Sequence, residues 1–536
     1  MISLYKTTKY CYYFHKLLFT LFLVKIYPRR FLLDILQSDV QNAGCIVIKL
    51  VQWLYTRNDV FKEKSTINNS HSHHSPSQIL EIFNGIYEHC KIHDMEYTRQ
   101  VFAEEFSENF DDVIELDSDY DIRSGSVAQV YKGRFKKSIS KISVNDRYSP
   151  DYGDIAIKVV HPDIQYQIIF PYIYYCAYHF LSRLRITTGS PFNIYSFFDT
   201  YIKQIDMRGE ASNMRYFYNE YRDNPFFIIP EPILWSRNVL IMKYHDGESI
   251  NDIEDTMSIY NKSNILLYMT LFVKSTIFTE SLYHGDLHNG NWKIVKTNSN
   301  SNSNSNIPYR IIIYDFGYCI ESNAKDRHDF IKLFSSLDFN DIATFSSILY
   351  DYIERAPAPI TRQEFIDKSV NMMKDNRTCL FDNDVFIVTI NYFIREKFVL
   401  SSKILDVLIS IFLIEKLLKK YLYFPELERQ QKHQTKHQTK DQTKDQTKND
   451  ESIATIYDIS HFNHLNQISQ NYLTICETYN CFHKLQANLK NYIQEIHAIL
   501  DKDIDNDFKK YKRRQIDDNI DNIYTNPGER QEIIEI

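Results

Sequence analysis

The stretch HGDLHNGNWKIVK at 284–296, followed by RIIIYDFG at 310–317, constrains this chain more than any other. KIVK and RIIIY are short runs rich in β-branched residues and read as a strand pair. Around them stand Asp286, Asn291 and Asp315, with Gly317 where the chain must turn after the second strand. Glycine is scarce here, 12 in 536 residues against a usual share of about 7%, yet two fall inside the eight residues HGDLHNGN. His284 and His288 have the i, i+4 spacing of a helical zinc pair. Gly285 and Gly290 argue against a helix, and no third ligand follows at metalloprotease spacing. His284 is therefore expected to brace the loop.

A chain of 536 residues has room for two lobes and extensions. With 15% aromatic residues it can build a packed core. Its formal charge of −7 excludes a general nucleic-acid binder, which needs a basic surface. The eight cysteines include no Cys-x-x-Cys pair, so neither a zinc site nor a disulfide framework is indicated. The first 33 residues carry six basic groups and no acid around an aromatic and aliphatic run. The uncharged core LLFTLFLV is far short of the roughly 20 residues of a spanning helix. This segment reads as a helix packed on the body of the protein or as a basic targeting or membrane-surface helix.

Polar, low-complexity tracts at 65–78, 298–306 and 432–448 are expected to be disordered insertions. The strand-like runs SVAQVYKGRF, DIAIKVV and NVLIMKY lie between 111 and 244, with two helical stretches among them, 171–186 and 197–221. After 246 the pattern is mainly helical. This order predicts an α+β, two-lobed fold: an N-terminal extension at 1–64, an insertion with connecting helices at 65–110, an N-lobe at 111–244, a C-lobe at 245–425, and a linker with a charged helical tail at 426–536.

Phosphoryl transfer of the protein-kinase type needs a loop over the phosphates, a strand lysine, a helix glutamate to hold it, a base with a metal-binding amide in one loop, and a second metal-binding aspartate. Candidates for all five occur in order. The loop is Ser124, Gly125, Ser126, Val127 and Ala128, with Gly125 at the middle glycine of the usual pattern, where it permits conformations that alanine resists. Lys158 in DIAIKVV is the strand lysine, Asp286 the base, and Asn291 and Asp315 the metal ligands.

Several segments resemble the UbiB/aarF-domain-containing atypical kinase family, over about 17–424. GCIVIKLVQWLYTRNDVF is similar to its K-x-G-Q segment and Thr-Arg-x-Asp element, here Lys49, Gln52, Thr56, Arg57 and Asp59. GSVAQVYKG resembles its nucleotide loop, AIKVVHP its lysine strand, and QIDMRGEASNMRYF its helix motif with Asp206 and Glu210, which implies Glu210 as the helix glutamate that pairs with Lys158. The resemblance implies a kinase fold with a helical extension over the cleft, ATP and Mg²⁺ as cofactors, and a lid containing Lys49, Gln52 and Asp206. It also implies a lipid or quinone-pathway small molecule as partner, association with the mitochondrial inner membrane or the membrane of another lipid-bounded organelle, and support of coenzyme Q biosynthesis or distribution or of mitochondrial lipid homeostasis. Val51 and Gln204 depart from the family pattern within the lid. Two other functions stand beside this one. A small-molecule kinase of the aminoglycoside or choline type shares the HGD and DFG signatures but lacks the K-x-x-Q helices, and a nucleotide-switched scaffold needs no chemistry. The phosphoryl acceptor, the oligomeric state and the role of the tail are not written in the sequence.

Overall fold

The computed structural model describes residues 3–27, 30–50, 91–120, 122–136, 153–183, 198, 201–253, 256–297, 307–338, 341–356, 358–375, 396, 398–418, 466–467 and 469–502. The three polar tracts, Gln52 with the Thr56, Arg57 and Asp59 element, and the charged tail from 503 lie outside the described residues. The chain forms two units, Met1–Gln430 and Gln431–Ile536. Within the second, a helical stretch at 469–478 meets the helix His483–Lys502 through a tight turn that buries Cys476 and Cys481.

The first unit opens with a helical hairpin, α1 (Leu4–Ile26) and α2 (Arg30–Ala43). Lys16 and Thr20 on α1 both donate to the buried carboxylate of Asp39 on α2, each at 2.7 Å. One side of α1 packs inward through Tyr10, Phe14, Leu17 and Val24, while Tyr5, Tyr12, Phe19 and Phe22 remain exposed. No described helix is long and apolar enough to cross a membrane. After α2 the chain bends at Gly44, whose φ of +105° favours glycine, and a helical turn at 45–50 carries Lys49.

The N-lobe is a six-stranded sheet flanked by helix α3 (Met95–Phe106), which Asp94 caps by accepting from the Tyr97 amide at 2.8 Å. Strands β1 (Ile114–Leu116), β2 (Arg123–Ser124), β3 (Ala128–Phe135) and β4 (Ile155–Val160) precede helix α4 (Ile169–Arg183) and helix α5 (Met207–Tyr221). They are followed by β5 (Phe227–Ile228), β6 (Pro232–Trp235) and β7 (Val239–Lys243). The order is β1-β3-β4-β7-β6, with β2 paired to β3. Strand β4 shows why its lysine is available: Ile155, Ile157 and Val159 face a core with Phe102, Phe110 and Ile241, so the two-residue period turns Lys158 to the other side.

The C-lobe starts with the 21-residue helix α6 (Ile259–Thr279), capped by Ser258. Strand β8 (Leu282–His284) leads into the polar loop, which returns through a short 3₁₀ turn (Asn289–Asn291) to β9 (Trp292–Lys296). Strand β10 (Tyr309–Ile313) pairs antiparallel with β9 and parallel with β5. Strand β11 (Cys319–Glu321) pairs with β8. Helices α7 (Ala324–Asp338), α8 (Ile342–Asp351), α9 (Arg362–Asp375) and α10 (Ser402–Leu418) complete the lobe, with the short strands β12 (Ile353–Arg355) and β13 (Val399–Leu400) paired among them.

Two helical runs end differently from their sequence pattern. The stretch 197–221 breaks at Asp206, whose side chain accepts from the Arg208 amide at 3.1 Å and starts α5 at Met207. The pattern SNILLYMTLFVKSTIFTESLY overruns, because its last residues leave the helix to pair as β8 with β11.

Candidate active site

Lys158 reaches across from the sheet to α5, where Glu210 is fully enclosed. Its ammonium donates to both carboxylate oxygens, at 2.8 and 2.9 Å, and lies 3.4 Å from Asp315. Burial disfavours the charged lysine, but the Asp315 and Glu210 carboxylates outweigh it and hold Lys158 above the usual lysine range. An aromatic contact keeps the two acids in register. Phe217, two turns after Glu210 on α5, packs at 5.0 Å on Phe316, the residue after Asp315. Both rings are fully buried, each stabilising the fold by about 2–3 kcal/mol, and Asn213 of α5 donates to the Phe316 carbonyl at 2.9 Å.

The polar loop behaves as a braced turn. His284 donates from Nε2 to the Asp315 carbonyl, and its Nδ1 accepts from the Asp286 amide at 3.2 Å. Both nitrogens are thereby used, and burial holds the ring below the usual histidine range. His288 instead caps the 3₁₀ turn, accepting from the Gly290 amide at 3.1 Å. Gly285 allows close approach, since a Cβ there would stand 2.9 Å from Ile320 and 3.0 Å from Tyr318. Gly317 works similarly: its amide donates to Asp315 Oδ1 at 2.9 Å, and a Cβ would crowd that oxygen at 3.1 Å.

Asn291 donates from its amide nitrogen to the Asp286 carbonyl at 2.7 Å, which leaves its oxygen for a cation. Burial alone would raise the carboxyl of Asp315, but Lys158, Lys49 and the Gly317 amide hold it well below the carboxylate range. It stays ionised at any ordinary pH. Hard oxygen donors of this kind suit Mg²⁺, which takes one or two carboxylates and completes its shell with phosphates and water. No group of three or more His, Cys, Asp or Glu able to cage a metal occurs among the described residues.

Strands β2 and β3 are joined by Gly125, Ser126 and Val127, and the register sets Val130 opposite Lys158 and Ala128 opposite Val160. The Gly125 amide donates to the Ala128 carbonyl at 3.0 Å. Gly125 is not among the positive-φ glycines, and a Cβ on it would meet only the Ala128 carbonyl at an ordinary 3.7 Å. The conformational freedom expected of this glycine is therefore not used: alanine fits the same turn. A polar chain unread in the sequence tethers the loop instead. His161 Nε2 donates to the Gly125 carbonyl at 2.9 Å, so its Nδ1 must accept from His93 Nδ1, also at 2.9 Å. His93 Nε2 then accepts from Thr98 Oγ1 at 3.0 Å. Both histidines are neutral in this arrangement, and burial lowers both, His93 to about 4.

From outside the two lobes comes Lys49, whose ammonium lies 2.7 Å from Asp286 Oδ2. Burial works against that charge, but Asp286 outweighs it and Lys49 is raised. Burial would raise Asp286 in turn, yet Lys49 holds it below the usual range. Of the residues read as lid, Lys49 therefore meets the site. Asp206 does not: it caps α5 and is held by the Arg208 guanidinium, with Oδ2 2.6 Å from Nη2. Gln204 is buried, with its Cγ 3.8 Å from where a Cβ on Gly317 would stand.

Residues 86–348 match the ABC1 atypical kinase-like domain. The chain is 25% identical over 267 residues to the probable serine/threonine-protein kinase abkC of Dictyostelium discoideum, covering 48% of this chain and 34% of that protein. It is 23% identical over 267 residues to the probable protein kinase UbiB of Actinobacillus pleuropneumoniae serotype 7, covering 48% and 44%. With the mitochondrial ABC1 family protein YPL109C of Saccharomyces cerevisiae it shares 24% identity over 390 residues, 64% of this chain and 56% of that one. The chain thus spans between about a third and just over half of the length of these relatives. Its fold is a two-lobed, kinase-like α+β fold with helices added before the N-lobe, and residues 86–348 form an ABC1 atypical kinase-like domain similar to those of UbiB and mitochondrial ABC1 proteins.

Proposed function

We propose that this protein binds ATP with Mg²⁺ and acts as an ATPase or phosphotransferase in support of coenzyme Q or lipid homeostasis at a mitochondrial membrane. The observation that carries the reading is the convergence of Lys158, Glu210 and Asp315 on one ammonium, with Asp286 and Asn291 in the adjoining loop. Lys158 would bind phosphate oxygens while Glu210 keeps its chain extended. Asn291 and Asp315 would hold the metal, which neutralises charge on the phosphates. Asp286 would accept a proton from an attacking hydroxyl or water once Lys49 leaves it. The mitochondrial and quinone assignment rests on the family resemblance and on relatives named as mitochondrial.

Thermal unfolding with ADP or ATP, with and without Mg²⁺, tests the nucleotide site. A metal-dependent rise in Tm in the native protein, absent in Asp315→Ala, is expected; no metal-dependent rise would remove the reading. A second reading, a nucleotide-switched scaffold, is favoured by the ion pair of Lys49 with the residue that would act as base. ATP turnover separates the two: loss in Asp286→Asn supports chemistry, while turnover absent from the native protein, or surviving in that variant, supports the switch.

A further inference from the structure

The helical turn that carries Lys49 has no capping side chain of its own, because Gly44 precedes it. The missing acceptor comes from a distant segment. Gln167, in the short helix after β4 (Ile164–Gln167), accepts from the Cys45 amide through Oε1 at 2.6 Å. Its Nε2 donates to the Tyr10 hydroxyl and to the Pro162 carbonyl, both at 3.3 Å. Gln167 is buried, and a Cβ on Gly44 would fall 2.3 Å from its Oε1, so the positive-φ bend and the amide fit together like a socket and plug. The same segment receives α1 from the other side through Lys6 to Asp163 at 2.6 Å and the Ser3 amide to Tyr166 at 3.2 Å.

We infer that Gln167 is a positioning residue that fixes the bend at Gly44 and so holds Lys49 on Asp286. The inference rests on the reading of Lys49 as a lid that competes with Mg·nucleotide for the site. Four residues of helix separate Cys45 from Lys49, about 6 Å of rise. A tilt at the bend of only some 10° shifts the lysine by about 1 Å, enough to open a hydrogen-bonded ion pair. A purely structural defect near the site would weaken nucleotide binding. Loosening this joint has the opposite sign, because it frees Asp286 and removes a cation from beside Asp315.

The test is a double-mutant cycle on the full chain, with the Kd of Mg·ADP read by calorimetry and the fold checked by thermal melting. Lys49→Ala is expected to tighten binding about tenfold and Gln167→Leu about threefold. In the Lys49→Ala background Gln167→Leu should add nothing. Gln167→Glu keeps an acceptor for the Cys45 amide but loses the donor to the Pro162 carbonyl, so it should tighten binding less than Gln167→Leu. If Gln167→Leu does not fold, Tyr10→Phe frees the other end of the same amide and should tighten binding about twofold, again only when Lys49 is present. Weakened or unchanged binding in Gln167→Leu or Tyr10→Phe, or an equal shift in both backgrounds, overturns the joint while leaving the lid intact. A Lys49→Ala variant that binds Mg·ADP no more tightly than the native protein overturns both.

Discussion

Two lysines approach the acidic centre, and they are held in opposite ways. Lys158 stands on a central strand, meets both oxygens of a fully enclosed glutamate, and shares a packed aromatic core with Asp315. Lys49 stands on one helical turn beyond a glycine bend and touches a single oxygen of Asp286. Their ion pairs differ little in length, 2.8 and 2.7 Å. Support differs: removing one partner of an enclosed pair strands a charge with no water to receive it, whereas a pair at the edge of a site can part and be hydrated. The first is framework, and under the proposed function the second gives way to a ligand.

The largest effect should come from the framework. Glu210→Ala leaves Lys158 with only Asp315, and should cost about 3 kcal/mol in urea unfolding; a loss below about 1 kcal/mol would erase the contrast. Next comes the tether of the β2–β3 loop. His93 and His161 are neutral in the fold with values below the usual histidine range, so their stabilisation is complete above about pH 6.5 and declines as pH falls toward 4. Unfolding free energy should drop by about 2 kcal/mol across that window, with a flatter profile in His93→Asn. Lys49→Ala should alter stability by no more than about 1 kcal/mol, even though it changes the site electrostatically as much as any single substitution. A drop as large as that of Glu210→Ala would make Lys49 framework too. The smallest effect is the surface control: Arg362, paired with Asp351 while both side chains stay over two-fifths exposed, should change stability by under about 0.5 kcal/mol when replaced by alanine.

The same contrast explains what could be read in advance. Lys158, Asp286, Asn291 and Asp315 sit in short motifs whose strand periodicity and spacing alone place them, and they converge as those motifs require. Glu210 needed the family pattern, since a glutamate on a helix has many surface roles. Asp206 belonged to the same pattern, yet its own chemistry as a helix cap claimed it. Gly125 was read for backbone freedom that the turn never uses. The Gln167 joint and the His161 to His93 tether left no trace in the sequence. They are single polar contacts between segments 122 and 68 residues apart, with neither period nor composition to mark them.

His284 has a consequence of scale. The Asp286 end of the polar loop hangs from one nitrogen of its ring and the strand end bearing Asp315 from the other. The interval between the two acids is thus cut to the width of an imidazole, as a machinist sets a gap with a gauge block. An amide side chain could satisfy both hydrogen bonds and still set the wrong gap.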